Sequence, residues 1–187
     1  MDFIKAAFET FKKHPVPWLL LGLVFGMVQP FGGAFLMPNF IRIARKAASS
    51  EEPPDIGDLF KFDDIVDDLV TMVVFSVAVM LGVFACFIGA WIVAILGTWT
   101  LHLRADKLYA PVDCLKASVH HVKANFVDVF VGMLIIQVVI FIGVMVTCGL
   151  GALVATPIMV IAVERFYAAN RDDIIAAADA AGVPRLV

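Results

Sequence analysis

The side chains that could move a proton or hold a metal are few and loosely spaced. There are four histidines, His14, His102, His120 and His121. His120 and His121 are neighbours, so on a helix they point about 100° apart and make a poor metal pair by themselves. His102 stands four residues before Asp106, a spacing that brings two side chains together on one helix face. Ser118 precedes His121 by three, which gives a hydroxyl and a base within reach but no third group to orient the base. The chemistry open to these residues is acid–base work on a lipid head group. It requires two of His102, Asp106, His120 and His121 to converge within about 3 Å of each other or of a shared ligand. The plainer reading of His102 and Asp106 is a satisfied interfacial pair. No G-x-S-x-G, H-E-x-x-H, C-x-x-C or Walker-type loop occurs. The three cysteines, Cys86, Cys114 and Cys148, lack zinc-like spacing and read as small buried side chains. A bridge between Cys86 and Cys148 is conceivable where both turns face an oxidising compartment. The sequence therefore predicts no enzyme, no cofactor and no metal site.

The elements that must carry these residues are dominated by apolar runs. The 187 residues are 61% hydrophobic and 17% charged, against about 45–50% and about 25% for an ordinary soluble domain. The mean hydropathy is +0.94. A net charge of -3 offers no broad basic surface for phosphates, so nucleic acid is not expected as a partner. Residues 69–103 contain no Lys, Arg, Asp or Glu. As one helix they would measure about 52 Å, against about 30 Å of hydrocarbon. Gly82 and Gly89 bracket a turn that would fold the run into two helices, about 69–85 and 89–103. Residues 16–41 and 129–163 are further apolar runs, with breaks at Gln29-Pro30 and at 147–151.

Every Lys and Arg lies beyond an end of one of these runs, and none lies near the three central breaks. If the basic side is cytoplasmic, each run must enter and return. The predicted fold is an all-α integral membrane protein, about six short membrane helices arranged as three hairpins, with amphipathic interfacial helices at 2–13 and about 111–124. The expected location is the bacterial cytoplasmic (inner) membrane, multi-pass, with both termini cytoplasmic. Residues 16–41 remain open between a hairpin, a kinked single span and a re-entrant arm. The whole chain reads as one membrane domain, with an acidic loop at 42–68 and a polar tail at 168–187. The N-terminal stretch resembles a signal peptide, but Asp2, Glu9 and the absence of an A-x-A site favour its retention.

The acidic loop holds eight carboxylates between Glu51 and Asp68. Helix capping and solvation account for them, and no EF-hand spacing supports a divalent cation. Within the loop, Asp55, Asp58, Leu59, Phe60 and Phe62 form the candidate partner-binding surface. Leu59, Phe60 and Phe62 could equally tuck against the protein's own helices. At depth, Gln29 and Gln137 are the candidate intramembrane polar contacts, because a buried amide needs partners.

Three stretches carry a family resemblance: PNFIRIARKAASSEEPPDIGDLFKF, DCLKASVHHVKANFVDVF and CGLGALVATPIMVIAVERFYAA. Together they resemble a broad group of mostly uncharacterised bacterial integral membrane proteins, related to the membrane domain of some glycerophosphodiester phosphodiesterases. The resemblance implies a bundle of about six short helices without phosphodiesterase activity. On this reading the protein is a non-enzymatic membrane scaffold or accessory subunit of a membrane complex, binding a protein partner through its cytoplasmic face. The alternatives are a transporter or channel component, as a homo-oligomer, and an interfacial lipid head-group enzyme. Membrane lipids, a second copy and a cytoplasmic protein are the expected partners.

Overall fold

The computed structural model describes residues 2–28, 36–50, 52–61, 63–85, 87–146 and 151–186. Among them the order is α1 (Asp2–Lys13), α2 (Pro15–Val28), α3 (Met37–Ser50), a 3-10 turn (Ile56–Phe60), α4 (Ile65–Ala85), α5 (Phe87–Leu96), α6 (Thr100–Ala105), α7 (Pro111–Ala124), α8 (Phe126–Val146) and α9 (Ala152–Ala180). The chain divides into two compact units. One comprises Met1–Lys61 with Val131–Ala168, and the other Phe62–Phe130 with Ala169–Val187.

The first unit is built around aromatic packing. α1 stops at His14, where the backbone prepares for two prolines. Pro15 and Pro17 then sit in the first turn of α2, where a missing N–H costs nothing. Trp18, Leu21 and Phe25 of α2 are buried. Phe40 of α3 packs against Trp18 and Phe25, with ring centroids 6.4 and 5.0 Å apart. Phe3 of α1 stacks on Phe166 of α9 at 5.1 Å. Gly132 of α8 lets that same ring come close, since a Cβ there would collide with it. α3 is amphipathic, with Phe40, Ile41, Ile43, Ala44 and Ala47 inward. The α9 segment of this unit buries Ala155, Ile158, Val160, Ile161 and Ala162. The helix runs on through Pro157 and continues into the sequence expected to be a separate tail.

In the second unit α4 packs against α5, α6 and α7. α5 ends at Leu96, and a turn over residues 97–99 re-aims the chain into α6. Pro111 opens α7, whose buried residues are Cys114, Ala117, Ser118, His121 and Val122. The C-terminal segment returns beside Tyr109, pairing it with Arg185 in an isolated antiparallel bridge. Gly182 closes α9 in a left-handed conformation, φ +70, as glycine after a helix commonly does.

This is not the predicted arrangement of about six short membrane helices in three hairpins. Among the described residues, two helices are long and apolar enough to cross a bilayer. These are α4 over Ile65–Val83 (19 residues, mean hydropathy 2.0) and α8 over Phe126–Met145 (20 residues, 2.6). The expected return arms are something else. α3 turns a buried face into its unit, and α9 does the same through residues 155–162. α5 has ten residues, about 15 Å, or half the hydrocarbon thickness. The breaks at Gln29-Pro30 and 147–150 lie outside the described residues.

Candidate functional site

The densest group of polar side chains lies in the second unit, where α7 faces the α5–α6 turn. Ser118 and His121 are one turn apart on α7. The Ser118 hydroxyl donates to the Leu96 carbonyl at 2.7 Å and accepts the Trp99 backbone N–H at 3.0 Å. The Trp99 indole N–H donates to His121 Nδ1 at 3.1 Å. A neutral imidazole is needed to accept that bond, with its proton on Nε2. Burial pushes the His121 pKa below its ordinary value, while the Asp173 carboxylate pulls it upward. His102 lies edge-on to the Trp99 ring, centroids 6.1 Å apart.

These contacts fasten a turn and do not build a nucleophile. The Ser118 proton is committed to a carbonyl, and the His121 lone pair to an indole. Asp106 accepts from Arg171 at 2.9 Å, and His120 is exposed. The Cys114 thiol donates to the Tyr109 carbonyl at 3.5 Å. Burial drives its pKa up to about 12, so it stays protonated and unreactive at neutral pH. No group of three His, Cys, Asp or Glu side chains is arranged for a metal among the described residues.

Charges that the sequence places at membrane exits are found inside the units. Arg104 is 2% exposed. Its guanidinium donates to Asp68 Oδ1 and Asp67 Oδ2, each at 3.1 Å. In the first unit Arg45 grips Glu164 through two bonds, at 2.6 and 3.3 Å. Arg45 also lies over the Tyr167 ring, 5.4 Å from its centroid. Arg165 donates to Thr10 Oγ1 at 3.0 Å and to the Ala48 carbonyl at 3.2 Å. Two-point contacts between guanidinium and carboxylate fix geometry as well as charge.

The described residues of the predicted partner surface lie on and beside the 3-10 turn. Leu59 is fully buried, and the Asn39 amide on α3 holds its carbonyl at 3.0 Å and that of Lys61 at 2.6 Å. The Asp55 carboxylate caps the 3-10 turn by accepting the Gly57 N–H at 2.9 Å. Asp58 pairs with Lys61 at 2.5 Å. Phe60 is exposed. Phe62 and Gln29 lie outside the described residues, as do Cys86 and Cys148. Gln137 sits on the exposed side of α8.

α4 and α8, each taken by itself, expose much apolar surface among the described residues. Only 17% of each apolar window is buried, whereas the core helix of a globular protein is mostly covered. On α4 the exposed side chains include Leu69, Val73, Val77 and Met80, and on α8 they include Val127, Val131, Leu134, Val138 and Phe141. Large exposed apolar patches mark interaction sites.

Compared with protein-family models, curated proteins and solved structures, the chain matches none. No match supports the resemblance to the membrane domain of some glycerophosphodiester phosphodiesterases, and the described residues do not form the bundle of about six short membrane helices that it implies. The inner-membrane placement with both termini cytoplasmic falls as well. It needs arms that enter and return in pairs, and two helices among the described residues do not supply them. The transmembrane scaffold, with its transporter alternative, is overturned by the polar contacts inside the units. Arg45–Glu164 and Arg104–Asp68 tie together segments 119 and 36 residues apart.

Proposed function

We propose that the protein is a non-enzymatic lipid-contacting module, with acyl chains as the partner of the exposed faces of α4 and α8. One observation carries this reading: two charge-poor stretches of 19 and 20 residues bury only 17% of themselves. Covering such surface is favourable by about 25 cal/mol per Å², and an acyl phase covers it without demanding shape. The non-enzymatic part is supported by the side chains with catalytic potential, since Ser118, His121, Asp106 and Cys114 are all committed to structural bonds.

Flotation of the purified full chain with phosphatidylcholine vesicles tests this. The protein is expected to float with the vesicles and to resist release by high salt, because the contact is apolar. Val73→Lys combined with Val138→Lys should reduce flotation at least tenfold, a lysine on an acyl-facing helix costing about 2.5–3.5 kcal/mol. A full chain that stays monodisperse in detergent-free buffer and does not float contradicts the proposal.

A further inference from the structure

We propose that His121 is a proton-operated latch on the α5–α6 turn. The turn is tied to α7 by two side chains of different chemistry. Ser118 bonds the Leu96 carbonyl and the Trp99 N–H, and neither bond titrates. His121 bonds the Trp99 indole through Nδ1, and that bond exists only while Nδ1 is unprotonated. Adding a proton puts an N–H on Nδ1 facing the indole N–H, so two donors oppose each other and the bond is lost.

Burial and one carboxylate set the pH at which this happens. His121 is 1% exposed, so burial disfavours the imidazolium. Asp173, on the part of α9 in the same unit, favours it and lessens that penalty. His102 of α6 stands edge-on to the same Trp99 ring, 6.1 Å between centroids. Because the folded pKa lies below the unfolded value near 6.5, the latch is closed at neutral pH. Its contribution to stability is complete above about 6.5 and falls as pH drops toward the folded value. Over that window the folding equilibrium changes by up to about tenfold per pH unit. The Ser118 bonds persist, so opening releases the indole before it releases the turn.

The test is NMR of the indole N–H signals of the full chain, with Trp99 identified by its loss in Trp99→Phe. The Trp99 signal is expected to titrate with a midpoint below 6.5, together with the His121 ring, while Trp18 and Trp91 stay still. In His121→Asn the Trp99 titration should vanish. In Asp173→Asn its midpoint should move to lower pH, a shift that a purely structural role for His121 would not produce. Titration of the Trp99 signal that survives His121→Asn, or a Trp99 signal that stays still while the His121 ring titrates, overturns the latch. If His121→Asn does not fold, co-titration of the Trp99 indole and the His121 ring in the unaltered chain decides.

Discussion

Arg104 meets two aspartates, and they differ in what surrounds them. The Asp67 side chain is 54% exposed and that of Asp68 only 10%. An exposed ion pair contributes at most about 1 kcal/mol, whereas removing one partner of a buried pair costs about 3–5 kcal/mol. Asp68→Asn is therefore expected to lower unfolding stability by at least about 2 kcal/mol, and Asp67→Asn by less than about 1. Urea unfolding of both variants checks this, and equal losses would contradict the assignment. Only part of this pairing is legible in the sequence. Asp67 and Asp68 announce themselves as acids at the start of a helix, which is where they stand. Their partner lies 37 and 36 residues onward, and nothing local selects Arg104 over a solvated role. Trp99 is legible only as an apolar residue. The Ser118–His121 spacing signals that two polar groups share a face, but not that a tryptophan would occupy both.

At the scale of the element, hydropathy locates helices well and their surroundings poorly. The helical stretches at 2–13 and about 111–124 stand where residue patterns put them, because periodicity and proline chemistry act locally. The inward role of α3 does not follow from its pattern alone, since Asn39 and Arg45 find their acceptors 20 to 119 residues away. The end of α5 is set by packing. Gly97 lies against Phe75 of α4, and a Cβ there would collide with the ring. Gly97→Ala should therefore cost about 1–3 kcal/mol through overpacking. Adding Phe75→Leu should recover part of the loss, as read by thermal unfolding followed by circular dichroism. No recovery in the double variant would place the cause in the backbone of the turn.

At the scale of the whole molecule, the residues divide by what they touch. Aromatic cores and long-range ion pairs hold each unit, and the potential catalytic groups are part of that fastening. What remains outward on α4 and α8 is apolar and nearly free of charge. Lipid contact by these faces is open to direct measurement. Spin labels would be placed singly at Val73 on α4 and Val138 on α8, with Lys123 on α7 as an exposed polar reference. Electron paramagnetic resonance in vesicles would then compare collision with oxygen and with a polar nickel chelate. High oxygen and low nickel accessibility are expected at 73 and 138, and the reverse at 123. High nickel accessibility at 73 and 138 would contradict lipid contact. Protection from both reagents there would also contradict it, by showing that protein, from a partner or a second copy, covers those faces instead.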